Sequence, residues 1–346
     1  MIRILAATAL LLGVLAAPAG AREFKEFKDV VVSCTDGLTC SVSLKVQGTP
    51  GDLNTLSFTR RAGPGTELGL IVAADSLDAG SSVAISVDGT RVLAVPVAAM
   101  QYNPDWLEYK LTGVADPLIL LDAMRNGLMA EATAVKDGKP LRASYSLSGL
   151  VAGLIFVDEV QGRVDTPDAL QAKGTKDTPP VKARDIEAIA DIPEGIRGDF
   201  QGDGRCAFME ESSFARVGGF EVELEDGYSL VALPCAEGGA YNQPYVFYSG
   251  YDNDYDRLWL PTMGDKGPTV MDSAYNIGWS QKTKVVDAFF KGRGLGDCGS
   301  FEKWVMHVGG FGPAFTLIES RVKDDCDGND GGGIENWPLL WPVGKN

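Results

Sequence analysis

The chain has 346 residues, 45% of them hydrophobic, with 31 basic against 47 acidic residues and a formal charge of −16. Acidity on that scale disfavours nucleic acid and anionic membrane surfaces, which both select for basic patches, and it admits cationic partners or divalent metals. The length exceeds what one core usually serves, so two domains are expected.

The chain opens Met1-Ile-Arg3, continues as an apolar run from Ile4 to Ala17, and ends that run at Pro18-Ala-Gly-Ala21. A single positive residue, an apolar stretch too short to span a bilayer and a small-x-small site predict a secretory leader cut after Ala21. No membrane span is expected, and the protein should be periplasmic or secreted.

Residues 22–163 read as a β-rich domain. Strands are predicted at Val30–Ser33, Thr39–Val46, Thr55–Arg60, Leu68–Ala73, Ser82–Val87, Val92–Val97, Leu107–Leu111, Ala130–Val135 and Leu141–Leu147, with Gly, Asp and Pro at the turns. Asp-Gly between alternating apolar runs is a hairpin signal, and short evenly spaced strands predict an antiparallel sandwich or barrel. Two short helices interrupt this pattern. Asp116, Pro117 and Gly127 bracket the first, whose buried side would be Leu118, Leu121, Ala123 and Met124. The second follows Ser148, with Leu150, Leu154 and Val157 at helical spacing and Gly162 at its end.

Residues 164–184 carry Pro167, Gly174, Pro179 and Pro180 with little apolar content, and read as a linker. A second β domain is predicted over 185–346, with strands at Ala207–Met209, Phe220–Glu225, Ser229–Leu233, Tyr245–Tyr248, Arg257–Leu260 and Asn276–Ser280, and one helical turn over Val285–Phe290. Its last part is a hairpin, Phe301–His307 and Ala314–Val322 about the turn Gly309–Pro313, set between Cys298 and Cys326. The fold expected is thus mainly β: two antiparallel sandwich- or barrel-like domains, with two short helices in the first.

Six cysteines follow the leader: Cys34, Cys40, Cys206, Cys235, Cys298 and Cys326. An even number in an exported chain predicts disulfides, and of roughly 15 possible pairings the three local couples are the expectation.

The motifs resemble an exported bacterial family, the domain of unknown function eleven seventy-six. The likeness rests on Phe24-Lys-Glu-Phe-Lys-Asp29, Ser146-Leu-Ser-Gly149, Asp158-Glu-Val-Gln-Gly-Arg163, Pro234-Cys235 and Gly239-Ala-Tyr-Asn242. It is strongest at Gly292-Arg-Gly-Leu-Gly-Asp-Cys-Gly299, Trp304, Cys326 and Trp337-Pro-Leu-Leu-Trp341. Residues 22–163 are also similar to the invasion-associated locus B proteins, although the cysteine pair expected in that group between Val92 and Leu118 is missing here. The resemblance implies export and fold, and brings no catalytic residue with it.

Signals for chemistry are sparse. His307 is the one histidine, and no Gly-x-Ser-x-Gly elbow occurs. The glycines of Gly292-x-Gly-x-Gly296 are followed by Asp297 and Cys298 instead of Lys-Ser/Thr, which fits a backbone crossing beside a disulfide better than a phosphate loop. Asp325, Asp327 and Asn329 stand at positions one, three and five of an EF-like loop, as do Asp252, Asp254 and Asp256, so Ca²⁺ is the one cofactor with any support. Neither run has the sixth-position glycine or a glutamate at position twelve, and solvated turns are the simpler reading.

Carboxylates such as Glu210-Glu211, Asp158-Glu159, Glu223 and Glu225 could serve a glycan hydrolase only if folding paired them, and strand alternation places Glu221, Glu223 and Glu225 toward solvent. The richest patch is aromatic: Tyr241, Tyr245, Tyr248, Tyr251, Tyr255 and Trp259, rings that bury area and keep a polar tip. The leading expectation is a non-enzymatic envelope binding protein that uses this patch to hold an envelope protein or glycan. The alternatives are a carboxylate-based envelope glycan hydrolase and an inhibitor of a cationic lysozyme.

Overall fold

Alternation of branched apolar with short polar residues shapes the first half. Val30–Thr35 and Cys40–Lys45 read Val-Val-Val-Ser-Cys-Thr and Cys-Ser-Val-Ser-Leu-Lys, and every second residue in each is buried. In the computed structural model, which describes residues 21–48, 51–112, 115–180, 182–264 and 266–342, these strands are neighbours in a seven-stranded antiparallel sheet. The leader, apart from Ala21, lies outside the described residues, as does the side chain of Asp116.

The seven strands run Ala21–Phe27, Val30–Thr35, Cys40–Lys45, Thr55–Arg60, Leu68–Ala73, Glu108–Thr112 and Gln101–Asn103 in spatial order. A second antiparallel sheet has four, in the order Lys139–Ser146, Met129–Lys136, Ser82–Val87 and Thr90–Pro96. One core joins both sheets, with Val32, Leu56, Phe58 and Val72 from the first and Ile85, Ala132 and Tyr145 from the second. The helices complete it. Leu150–Val160 buries Leu150, Leu154 and Val157 as its spacing predicts. Ala115–Arg125 buries Leu120, Leu121 and Met124 most deeply, so its inner face is turned slightly from the predicted one.

The stretch from Val164 to Lys173 is tied to this first half. Asp158, fully buried, accepts hydrogen bonds from the amides of Leu170, Gln171 and Ala172 at 2.6, 2.8 and 2.9 Å, while Thr166, Ala169 and Leu170 are buried. Arg163, also fully buried, donates to Arg61 O at 2.9 Å, to Thr66 Oγ1 at 2.8 Å and to Gly63 O. The Asp158–Arg163 motif therefore works as a clasp, and low apolar content alone could not reveal it.

The second half is built on two further sheets packed through one core. The first runs Ala183–Ile186, Gly219–Glu223, Tyr228–Pro234, Pro244–Tyr251 and Asp254–Leu258, with Ala274–Tyr275 paired at one end of Pro244–Tyr251. The other runs Gly278–Ser280, Val285–Lys291, Gly299–Gly309, Gly312–Lys323 and Leu339–Trp341. Phe220, Val222, Leu230 and Phe247 from the first meet Val286, Trp304, Met306 and Phe315 from the second. Two expectations fail here. Val285–Phe290 is a strand, because its alternating Val, Ala and aromatic residues pair with the Gly299–Gly309 strand. Ala207–Met209 is a turn, pinned beside Cys206 by the Cys206–Cys235 disulfide and by the bond from Met209 N to Cys206 O.

The three local cysteine couples are the pairs formed: Cys34–Cys40, Cys206–Cys235 and Cys298–Cys326. Disulfides belong to an oxidising compartment outside the cytoplasm. Among the described residues no helix is long and apolar enough to cross a membrane. The loop closed by Cys34–Cys40 also joins the halves. Thr35 Oγ1 and Gly37 N donate to Asp185 at 2.8 and 3.2 Å, and Asp36 Oδ1 accepts from Trp279 N at 3.0 Å.

Candidate functional site

The outer face of the Ala183–Leu258 sheet is the place where polar and aromatic side chains converge. Part of that face is apolar and covered: Val231, Leu233, Val246 and Tyr248 pack against Ile192, Ile196, Phe200 and Phe214 of the segment between the first two strands. Toward the turns Glu225–Gly227 and Asp252–Asn253 the cap ends and a trough begins. Its floor crosses all five strands through Arg184, Glu221, Ser229, Gly250 and Tyr255. One cavity of about 350 Å³ lies over this row, and a second of about 490 Å³ shares Arg184, Asn253 and Tyr255 with it and reaches Pro193–Gly195.

Two glycines make the trough possible. A side chain at Gly250 would place Cβ 2.6 Å from the Tyr255 ring, and one at Gly195 would place it 2.9 Å from the same ring. Tyr255 is thus wedged between two bare backbones and separates the cavities. Burial, together with the nearby Glu221 carboxylate, raises the Tyr255 phenol above its ordinary pKa, so it remains protonated at neutral pH. Arg184 donates from Nε to Glu221 Oε2 at 2.8 Å, and Glu221 Oε1 accepts from Ser229 Oγ at 3.1 Å. At the rim Tyr228 and Tyr251 are opposed across two strands with ring centroids 4.8 Å apart.

The six aromatic residues expected to form one surface do not. Tyr248 is 2% exposed and donates to Asp199 Oδ2 at 2.7 Å, because its strand is central and buried on both faces. Tyr245 is half-buried and donates to Gly218 O at 3.2 Å. Tyr241 lies beside Gly294, near the Cys298–Cys326 end, whereas Tyr251 is at the opposite end of the Pro244–Tyr251 strand, roughly 20 Å away at the rise of a β-strand. Trp259 is 51% exposed just beyond Leu258. Only Tyr251 and Tyr255 of the six line the trough; Tyr228 and Arg184 join them unforeseen. Alternation did give Glu221 its outward face, but nothing in one strand's sequence states which residues of other strands lie opposite it.

The remaining candidates lie apart from the trough. Asp327 Oδ1 accepts from Lys323 Nζ at 2.9 Å and from Asn329 N at 3.0 Å, and Asn329 Oδ1 accepts from Gly331 N at 3.0 Å. Asp325 is exposed and holds Lys323 through its carbonyl. Among the described residues no group of three or more His, Cys, Asp or Glu converges in a way that could hold a metal ion. His307 is exposed on the hairpin. Glu211 accepts from Ile189 N at 3.1 Å, and Glu302, buried away from the trough, bonds Thr262 and Ser320.

The Gly292–Gly299 motif is a knot around the last disulfide. A side chain at Gly292 would sit 2.8 Å from Cys298 Sγ. Arg293 holds both oxygens of Asp297 at 2.8 and 2.6 Å, and Gly328 N donates to the same carboxylate at 2.6 Å. These contacts, the arginine first, hold the Asp297 carboxyl well below the usual carboxylate range. Asn242 closes the knot, donating to Lys291 O at 2.8 Å and accepting from Lys291 N at 3.0 Å.

The chain as a whole is similar to known proteins. "Uncharacterized protein YpfG" of Escherichia coli (strain K12) is 27% identical over 233 residues, which cover 61% of this chain and 62% of that protein, so the chain spans just under two thirds of that relative's length. Among solved structures, invasion associated protein B from Bartonella henselae is similar with a TM-score of 0.32 and 12% identity, over 40% of this chain and 99% of that one. Residues 24–344 match the family model "Protein of unknown function (DUF1176)", and the chain belongs to that family.

Proposed function

We propose that this protein is an exported envelope component that binds an envelope protein or glycan without transforming it, in the periplasm or after release, and that the trough is its contact surface. The observation that carries this reading is the stretch of sheet left open beside the helical cap, edged by Tyr228, Tyr251 and Tyr255. Tyrosines at such an edge give contact area at low entropic cost and keep a hydroxyl for hydrogen bonding. Glu221, the carboxylate on the trough floor, is held by Arg184 and Ser229, which supports recognition over proton transfer.

A photo-crosslinking residue placed at Tyr251, and another at the equally exposed Trp106 in the first half, tests this in intact cells. Defined adducts at Tyr251 that are missing at Trp106 are expected. Equal adducts at both sites, or none at Tyr251, would remove the trough as contact surface.

A further inference from the structure

The charge on the trough rim is one-sided. Glu223 and Asp252 line the first cavity and Glu194 the second, while Glu225 and Asp226 lead into Gly227 and Asp254 follows Asn253. All six are exposed, and among the described residues none of them forms an ion pair. Arg184 is spent on Glu221, which leaves Lys182 as the one lining cation outside an ion pair among the described residues.

The floor crosses five strands spaced about 4.8 Å apart, a path of roughly 19 Å, which matches about six extended residues. Tyr228, Tyr251 and Tyr255 are among the residues that line it, and aromatic side chains attract cations.

From this complementarity we infer that the trough takes an extended basic polypeptide segment, its Lys or Arg side chains meeting Glu223, Asp252 and the tyrosines that line it. This rests on the trough being the contact surface, and it selects the basic polypeptide over a neutral glycan. Carboxylates around a tyrosine-edged groove attract guanidinium and ammonium groups, and such association weakens as salt screens it.

The test is a titration of the full chain with a synthetic decapeptide of alternating Lys/Arg and Ser, and separately with a neutral chito-oligosaccharide. Each is measured at low and at 0.3 M salt. The variants are Glu223→Gln/Asp252→Asn, Tyr251→Ala, and Asp105→Asn/Asp137→Asn, a distant pair of exposed acids on turns of the first half that removes equal charge. Circular dichroism and thermal unfolding establish that each variant folds.

The decapeptide is expected to bind at low salt and to weaken several-fold in 0.3 M salt. The Glu223/Asp252 variant should weaken it about five- to tenfold, the scale of two exposed ion pairs, and the distant pair should change it less than twofold. Equal weakening by both charge variants would mean that net charge alone attracts the peptide, and would overturn the inference. Binding of the neutral oligosaccharide but not the peptide, lost in Tyr251→Ala, would overturn the basic segment and leave the contact surface standing. Binding of neither probe would count against the basic segment, and the crosslinks at Tyr251 would then decide the contact surface independently.

Discussion

The two ends of the second half are built to opposite rules. At the Cys298–Cys326 end the polar groups packed around the disulfide are satisfied: Asp297 takes Arg293 and Gly328 N, Asn242 clamps Lys291, and Trp337 is buried with Nε1 donating to Asp330 O at 2.8 Å. At the trough end six exposed carboxylates form no ion pair among the described residues, beside tyrosines that line the cavity. Satisfied groups make a rigid scaffold, and exposed carboxylates held by water remain available to a cationic partner. The strongest motifs of the sequence belong to the first end. A motif is easiest to see where the backbone leaves no choice of residue, as at Gly292, and that is a statement about folding, not about ligands.

Perturbing the closed end should therefore unfold the protein, and perturbing the open end should only unload it. The largest effect is expected from Cys298→Ser/Cys326→Ser, which opens a loop of sequence separation 28 and should lower unfolding stability by about 3–4 kcal/mol in denaturant titrations. In the first half, Asp158→Ala orphans one buried and two part-buried amides and should cost about 2–3 kcal/mol in the same measurement.

A pH series sharpens the contrast. The folded Asp297 carboxyl lies below its unfolded value of 3.8, so its stabilisation is present in full above that pH and is lost progressively as pH falls from it through the lower folded value. Midpoint temperatures should fall between pH 5 and 2, and Asp297→Asn should be less stable at neutral pH with a shallower acid slope. The smallest stability effect belongs to the trough: Tyr251→Ala, at a position 53% exposed, should change stability by less than about 1 kcal/mol while removing partner binding.

How much of this could be read from the chain follows the same division. Strands at Val30–Thr35, Cys40–Lys45 and Ser82–Val87 fall where alternation and the Asp36-Gly37 and Asp88-Gly89 turns put them, because one buried face writes a period of two into the sequence. Val285–Lys291 deceived by its brevity, since a short apolar run fits a helical turn or a strand until its partner is known. Tyr248 deceived differently: aromatic density shows where rings are, and only the sheet order shows that this one is covered from both sides. Arg184 gave no signal at all, because its meaning lies in its register with Glu221, 37 residues away.

The most direct measurement is amide hydrogen exchange on the intact protein with and without the basic decapeptide. Slowed exchange confined to 182–184, 221–229 and 250–255 is the predicted result. Protection centred on the Cys298–Cys326 end, or on the first half, would contradict the division between a closed scaffold and an open contact surface.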